Sequence, residues 1–316
     1  MDIQNNQKAL LTIREVKKAV IGKDDCIIKV MTAILAGGHI LLEDIPGVGK
    51  TTMAMAFCRA MDLQQKRVQF TPDVLPADIT GFSMYQKEKG TFVYQPGAAM
   101  CNLLLADEIN RTSPKTQSAL LEVMEEGRVS VDGISRSVPE PFIVIATENP
   151  FGSAGTQMLP ESQVDRFMIC ISMGYPDIQS EIEIVKGNVS RNPLAEVQRV
   201  MNGGELLEMR KIVENIFVHD ALYQYIGRLV QTTRNHEMIE LGLSPRGTIS
   251  IARMAKARAF LMGRTYVVPE DIADIFLDVS SHRIRLNAKA RVSHISAKTV
   301  LGQILAQTVR PTLRRK

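Results

Sequence analysis

The chain has 316 residues, of which 45% are apolar and 23% charged, and its net charge is +4. This composition excludes a disordered chain, and the length is sufficient for two domains. The longest apolar stretch, residues 30–42, is shorter than the roughly 20 residues that span a bilayer, so no membrane segment is predicted. Because the first residues lack the features of a signal peptide, we expect a cytoplasmic protein.

The positions of the cysteines and of the basic residues indicate which kinds of site and partner to expect. Four cysteines lie in separate apolar segments without a CxxC pair, which predicts buried free thiols rather than a zinc site or a disulfide framework. Residues 283–316 hold nine Lys or Arg and no acidic residue. Such a tail either contacts nucleic acid, an acidic partner or an anionic membrane surface, or is a solvated helix face. We favour the solvated face.

In the first half of the chain, apolar runs of strand length alternate with helical patterns. The predicted strands are residues 40–42, 68–70, 103–106, 142–146 and 167–171, and the predicted helices include 51–61 and 114–126. Short apolar runs without alternation, separated by helices, indicate a parallel sheet that is buried on both faces. We therefore predict an α/β core domain over residues 1–190.

Two segments interrupt this pattern with hairpin signals. Within residues 79–98, two β-prone runs flank the turn sequence QKEKG, and within 128–138 two short runs meet at Asp132-Gly133. Asp-Gly between β-prone runs is a strong signal for a hairpin, and Lys89-Gly90 is a weaker one. Both segments are predicted to be hairpins inserted into the core domain.

After Gly174 the pattern changes to helices alone, which predicts an all-helical domain over residues 191–316 that follows a boundary near 175–192. The predicted helices are residues 180–188, 204–216, 219–234, 245–262, 269–281 and 297–308. Ser244-Pro245 is a good helix start, because serine caps the first N–H groups and proline fits the first helical position.

The predicted strand at 40–42 is followed by DIPGVGKT, a sequence with the features of a phosphate-binding P-loop. Gly47 and Gly49 let backbone N–H groups turn towards phosphate oxygens, and the next helix adds the partial positive charge of its N-terminus. Lys50 is expected to reach the β- and γ-phosphates, and the Thr51 hydroxyl to bind Mg²⁺. The usual pattern GxxxxGK[ST] begins with glycine, where this chain has Asp44. The predicted phosphate-binding residues are Pro46, Gly47, Val48, Gly49, Lys50, Thr51 and Thr52.

The segment NLLLADE, residues 102–108, is a second nucleotide-site signal, because an apolar strand ends there in two carboxylates. At the carboxyl edge of a parallel sheet, Asp107 and Glu108 are expected beside the P-loop. Asp107 would contribute to the ATP site by holding Mg²⁺ through water, and Glu108 would polarise the water that attacks the γ-phosphate. The alternative is a strand followed by a solvated acidic turn.

Three further polar residues follow predicted elements. Asn149, after the strand at 142–146, is expected beside the previous strand, where its amide could hold the attacking water or the γ-phosphate. Arg166 lies just before the fifth strand, and alone it would be a surface salt-bridge residue. Arg246 lies in the first turn of a helix, where a cation is disfavoured by the helix dipole, so an anion is expected nearby.

In this order the segments resemble the MoxR-type AAA+ ATPases of the helix-2-insert clade. The resemblance extends from about residue 20 to about residue 306 and rests on HILLEDIPGVGKT, QFTPDVLPADITGF, LLLADEINRTSPKTQSALLEVMEEGRVSVDG, FIVIATENP, LPESQVDRF and LSPRG. It implies a P-loop NTPase core with a parallel sheet, a helix-2 insert at about 79–98, a pre-sensor hairpin at about 128–138 and a smaller all-α lid domain.

The resemblance assigns roles to residues that match the family's motifs. Lys50 and Thr51 correspond to Walker A, Asp107 and Glu108 to Walker B, Asn149 to sensor 1, Arg166 to the arginine finger and Arg246 to sensor 2. Glu148 stands where glutamine is common in the family. It stays open whether Arg246 acts on its own or a neighbour's site, and Arg111 is a rival for the finger role.

The resemblance also implies ATP and Mg²⁺ as cofactors and a homo-oligomer, expected to be a hexameric ring. Proteins of this type act as chaperone-like remodellers or maturation factors, commonly with a von Willebrand factor A domain partner, which would here be another chain. The alternatives are a ring motor on nucleic acid, favoured only by the basic tail, and a nucleotide-dependent partner-binding switch. The candidates for pore-side contacts are the hairpin that bears Met84, Tyr85, Phe92 and Tyr94 and the hairpin of residues 129–138. The alternative is that these residues only pack against the core.

Overall fold

A computed structural model describes residues 3–43, 47–148, 159–190 and 192–312. In chain order, the strands are β1 Ile40–Glu43, β2 Gln65–Gln69, β3 Phe82–Gln86, β4 Thr91–Gln95, β5 Leu103–Asp107, β6 Arg128–Val131, β7 Ile134–Ser137, β8 Ile143–Glu148, β9 Ile169–Ile171, β10 Ile239–Leu241 and β11 Arg285–Leu286. The helices are α1 Ile3–Ala19, α2 Asp24–Leu35, α3 Lys50–Ala60, α4 Pro76–Thr80, α5 Pro114–Glu126, α6 Glu161–Val164, α7 Ile178–Ser190, α8 Gly203–Glu214, α9 Asp220–Asn235, α10 Pro245–Leu261, α11 Pro269–Ser280, α12 Ala288–Val292 and α13 Ala297–Gln307. Short 3₁₀ turns cover Ile109–Arg111 and Pro193–Glu196.

The five predicted strands form one parallel sheet in the order β2-β5-β8-β1-β9. Every residue of β5, β8 and β9 is buried, as expected for strands covered by helices on both faces. β2 differs from the prediction, because it lies at the edge of the sheet and is only partly buried. The α/β fold class is confirmed.

The order of the strands differs from the expectation that the acidic pair lies directly beside the P-loop. The acidic strand β5 does not adjoin β1, because β8 pairs with both and lies between them. The carboxyl end of β8 is therefore the segment nearest to both the P-loop and the acidic pair, and this end carries Thr147 and Glu148.

Both predicted hairpins are present as two-stranded antiparallel sheets, β3–β4 and β6–β7. Asp132 and Gly133 both have positive φ, at 54° and 75°, which is the conformation that a two-residue turn of this kind requires. The two hairpins contact each other, since the Arg136 guanidinium lies 4.2 Å from the centroid of the Tyr94 ring.

The second half is mainly helical, as predicted, but the expectation of helices alone was wrong. β10, which follows α9 in the chain, and β11, which follows α11, pair as a small antiparallel sheet. The proposed division of the chain at residues 190 and 191 stays a prediction, because the two halves share one apolar core. That core contains Val16, Ile34, Leu42, Met254 and Val279, from α1, α2, β1, α10 and α11.

The carboxyl-terminal basic residues are not simply a solvated face. Arg283 is only 7% exposed and its Nε lies 2.8 Å from the Asp165 carboxylate. Arg285 pairs with Glu161 and Glu240 on the surface. All four cysteines are buried free thiols, as predicted. Within the described ranges, no helix is both long and apolar enough to cross a membrane.

Candidate active site

The P-loop follows β1 and precedes α3, and its two described glycines have the backbone conformation that the sequence predicts. Gly47 and Gly49 have φ of 87° and 93°, a left-handed conformation that favours glycine. α3 begins at Lys50 without a side-chain cap and without an acidic residue in its first turn. The N-terminal N–H groups of this helix therefore suit an external anion. Asp44 and the predicted phosphate-binding residue Pro46 lie outside the described residues.

A cavity of about 660 Å³ adjoins this loop, a size typical of small-molecule sites. One wall is the P-loop and the start of α3, and the others come from the α1–α2 connection and from α7 with its preceding loop. Its lining includes Gly47, Val48, Gly49, Thr52, Val20, Ile21, Tyr175 and Ile184. Apolar side chains opposite a phosphate-binding loop suit the base of a nucleotide.

Asp107, the last residue of β5, is buried at 6% exposure and held from two sides. Its Oδ2 accepts a hydrogen bond from Arg67 Nε on the neighbouring strand β2 at 2.7 Å, and its Oδ1 accepts one from the Thr147 hydroxyl at 3.5 Å. The carboxylate is thus fixed at the carboxyl edge of the sheet, on the same edge as the P-loop.

Glu108 has an unusual backbone conformation that Thr147 supports. Its φ is 55°, which is uncommon for a residue with a side chain and is often found at functional sites. The Glu108 N–H donates to the Thr147 hydroxyl oxygen at 2.9 Å. The Glu108 carboxylate accepts a hydrogen bond from Arg111 Nη1 at 2.6 Å, so Arg111 contacts the acidic pair of its own chain.

Two glutamates meet at the carboxyl ends of β1 and β8. Glu43 and Glu148 are register partners, and Glu148 is 2% exposed. Burial, followed by the nearby Glu43 carboxylate, raises the pKa of Glu148 to about 8, so Glu148 is mainly protonated at neutral pH. Asn149, the predicted sensor 1 residue, directly follows Glu148 and lies outside the described residues.

Arg166 lies at the opposite edge of the sheet from the P-loop. Met168, two residues after Arg166, donates its N–H to the carbonyl of His39, the residue just before β1, whereas the P-loop follows β1. A strand of four residues separates these edges by roughly 13 Å. Arg166 Nη1 donates to the Leu121 carbonyl in α5 at 2.7 Å.

Arg246 lies at the same edge as Arg166, and one carboxylate binds both. Glu125, near the end of α5, pairs with Arg166 at 3.1 Å and also with Arg246. The anion expected near Arg246 is therefore present, and it is Glu125. His39 helps to hold this end of α5, because its Nδ1 accepts from Val144 N–H and its Nε2 donates to the Met124 carbonyl, each at 3.0 Å.

Asp165 connects the second half of the chain to the sheet edge where Arg166 lies. It accepts hydrogen bonds from the Ser244 hydroxyl, the N-cap of α10, at 3.0 Å and from the buried Arg283 at 2.8 Å. Burial is the largest influence on Arg283 and lowers the pKa of its guanidinium to about 10. The first turn of α10, with Arg246, is therefore held beside Arg166.

Thr147, Glu125 and Asp165 have contacts at these sites that were not predicted from the sequence. A signal existed for Glu125, since a carboxylate in the last turn of a helix is as unfavourable to the helix dipole as Arg246 is in the first. For Thr147 and Asp165, the sequence offered only their positions next to predicted site residues.

A P-loop after β1 and an acidic pair after β5, with β8 between these strands, define the class of P-loop NTPases. A family profile described as the ATPase family associated with various cellular activities (AAA) matches residues 39–169. A profile described as the AAA lid domain matches residues 231–304.

Several relatives are similar in sequence to almost the whole chain. The uncharacterised protein YeaC of Bacillus subtilis (strain 168) is 42% identical over 96% of this chain and 94% of its own length. Chaperone MoxR1 of Mycobacterium tuberculosis is 40% identical over 94% of this chain and 80% of its own. A crystal structure from Cytophaga hutchinsonii, described as an inferred ATPase, is 38% identical with a TM-score of 0.92 and covers 98% of this chain and 96% of that one. The chain belongs to the MoxR-type AAA+ ATPases and is an ATPase.

Proposed function

We propose that this ATPase works as a ring, expected to be a hexamer, in which each ATP site lies between two protomers and drives remodelling or maturation of protein assemblies. The observation that carries the shared site is the position of Arg166 and Arg246. Both lie at the sheet edge opposite the P-loop of their own chain. They would serve the nucleotide of the neighbouring protomer.

In this proposal the P-loop edge binds ATP. Lys50 and the N–H groups of the P-loop and of the first turn of α3 would bind the β- and γ-phosphates. The residues that would hold Mg²⁺ are Thr51 and Asp107, Asp107 through water, and the buried carboxylate oxygens of Asp107 suit this cation. Bound magnesium would neutralise phosphate charge.

Glu108 would orient and polarise the attacking water. Its contact with Arg111 Nη1 holds the carboxylate at the carboxyl edge of the sheet. Asn149, the residue that follows β8 in the sequence, would hold the same water or the γ-phosphate. Arg166 would neutralise charge that develops on the neighbour's γ-phosphate, and Arg246 would bind the same phosphate group.

The helix-2 insert supports a role with protein substrates. Met84, Tyr85 and Phe92 in the β3–β4 hairpin are 48%, 51% and 73% exposed, and clustered exposed apolar side chains commonly mark interaction sites. Tyr94 is different, because its hydroxyl donates to the Thr80 carbonyl at 2.6 Å and it packs within the protein. The name of Chaperone MoxR1 agrees with such work, and a partner with a von Willebrand factor A domain would deliver the substrate.

A nucleic-acid motor has less support, because much of the basic tail that suggested it is paired. Arg285 and Lys289 are bound by Glu161, Glu240 and Glu237. Stimulation of ATP hydrolysis by a protein partner but not by DNA would favour the remodelling function. Stimulation by DNA alone would favour the motor.

The experiment that tests the shared site mixes two inactive variants. Arg166→Ala lacks the finger and Glu108→Gln lacks the water-activating carboxylate, so each variant alone should lose most ATP turnover. In a randomly mixed closed ring, roughly a quarter of the interfaces would pair an intact Glu108 with an intact Arg166. Phosphate release should therefore recover in part when the purified variants exchange subunits.

Absence of recovery, with mixed rings shown by mass measurement, would mean that Arg166 does not act across the interface. Arg111 would then be tested by the same mixing. Glu108→Gln should retain ATP and bound partners, and a variant that lost nucleotide affinity as strongly as turnover would contradict the assigned role of Glu108.

A further inference from the structure

The carboxyl end of α5 carries a charge that its own helix does not favour. Glu125 is the second-last residue of this helix, where the helix dipole disfavours a carboxylate. In the first turn of α10, the helix dipole likewise disfavours the positive charge of Arg246. The two groups are ion-paired, so each relieves the electrostatic cost of the other.

Arg166 joins this pair at 3.1 Å from the other Glu125 oxygen. One carboxylate therefore uses one oxygen for each arginine, Oε1 for Arg246 and Oε2 for Arg166. The helix that carries Glu125 is anchored nearby, because His39 Nε2 donates to the Met124 carbonyl. The two guanidinium groups are thus fixed at a set spacing by a rigid element.

The arginines keep donors for another ligand. A guanidinium has five N–H donors, and Arg246 uses only Nη2 among the contacts of the described residues. Among the same described contacts, Arg166 uses Nη1, which donates to the Leu121 carbonyl and contacts Glu125. Its Nε is buried, so Nη2 is the nitrogen of Arg166 that would reach a phosphate. Glu125 therefore holds both side chains without consuming the donors that a phosphate group would need.

We propose that Glu125 is a positioning residue that holds Arg166 and Arg246 together as one phosphate-binding unit for the neighbouring protomer's ATP. This proposal rests on the proposed shared site. An arginine side chain has many rotamers, and fixing two of them before ATP arrives keeps their donors in the geometry that the transition state needs. Glu125 itself does not contact the nucleotide.

The test compares Glu125→Gln with Glu126→Gln in the full-length protein. Glu126 is the neighbouring exposed carboxylate of the same helix turn, so its substitution removes the same charge without touching the arginine pair. Glu125→Gln should lower kcat by about 10- to 100-fold. The KM for ATP should change by less than about twofold, because the P-loop that binds ATP is intact in the variant. Glu126→Gln should retain wild-type turnover.

Two further measurements separate positioning from a general structural role. Mixed with Glu108→Gln, the Glu125→Gln variant should regain activity as Arg166→Ala does, because its defect acts across the interface. In the Arg166→Ala/Arg246→Ala background, adding Glu125→Gln should lower turnover by less than about twofold, since no arginine remains to be positioned. The melting temperature should stay within a few degrees of the wild type, because Glu125 is 40% exposed and exposed ion pairs contribute little.

Several results would overturn the proposal. Full turnover in Glu125→Gln, while Arg166→Ala is inactive and recovers on mixing, rejects Glu125 and keeps the shared site. An inactive Glu125→Gln that does not recover on mixing, or that unfolds, places the role of Glu125 within its own chain. If Arg166→Ala itself fails to recover with Glu108→Gln, the shared site is rejected instead.

Discussion

Glu125 in the last turn of α5 is ion-paired with Arg246 in the first turn of α10. Each residue stands at the end of its helix that the dipole makes unfavourable for its charge. Together they connect the helix that follows the acidic pair of the sheet with the helix that carries the predicted sensor 2 residue. The pair places Arg246 beside Arg166 and away from the P-loop of the same chain.

Arg283 should contribute far more to stability than Arg285, although the two are both ion-paired arginines two residues apart. Arg283 is buried against Asp165 and backbone carbonyls, so Arg283→Met should cost about 3–5 kcal/mol by leaving the buried acceptors unpaired. Arg285 pairs on the surface, and Arg285→Met should cost less than about 1 kcal/mol. Urea unfolding of both variants measures the difference, and equal losses would contradict the anchoring role of Arg283.

Glu148→Gln should change the pH dependence of stability. The pKa of Glu148 rises from 4.5 to about 8 on folding, so the folded state holds a proton that the unfolded state has released. Stability should therefore fall as pH rises between these values, by up to about 1.4 kcal/mol per pH unit. The glutamine variant, which is neutral throughout, should lack this loss.

Urea unfolding at pH 5.5 and pH 8.5 measures this effect. The variant should gain stability relative to the wild type at pH 8.5, and the gain should shrink at pH 5.5. Glu122→Gln, at an exposed position of α5, should leave the pH dependence unchanged. Parallel pH profiles for wild type and Glu148→Gln would show that the Glu148 proton does not govern stability.

Thr147→Val should impair hydrolysis while preserving the shape of the side chain. The hydroxyl accepts from the Glu108 N–H and donates to Asp107, and its loss would leave the left-handed Glu108 backbone unsupported. We expect about a tenfold fall in kcat and a stability loss of about 1–2 kcal/mol. Thr147→Ser retains the hydroxyl and should remain near wild type in steady-state phosphate release. Equal turnover in both variants would exclude this support role.

Phe92→Ala should separate basal hydrolysis from work on a substrate. Phe92 is 73% exposed in the β3–β4 hairpin, so its truncation should change stability by less than about 0.5 kcal/mol and leave basal turnover intact. Stimulation of ATP hydrolysis by a permanently unfolded, carboxymethylated protein should be reduced several-fold. Lys89→Ala, in the turn of the same hairpin, is the matched control. Unchanged stimulation in Phe92→Ala would remove this side chain from the substrate surface.

The sequence by itself determined the strands of the central sheet and the backbone conformation of the glycines after β1. Unbroken apolar runs specify buried parallel strands, because a strand covered on both faces needs apolar side chains at every position. The glycines at 47 and 49 specify the loop, because left-handed backbone favours residues without a side chain. The apolar runs and the glycine positions both act through residues that are neighbours in the sequence, so the sequence alone is sufficient to predict them.

The tertiary structure decided which distant residues meet. Strand order placed β8 between β1 and β5, which brought Thr147 to the acidic pair and Glu148 to Glu43. The hydrogen bond between Ser244, the N-cap of α10, and Asp165 placed Arg246 beside Glu125, a residue 121 positions away. Such contacts depend on how elements that are distant in the sequence pack together. A local sequence pattern therefore does not predict which residue pairs with a buried charge or with a charge at the unfavourable end of a helix.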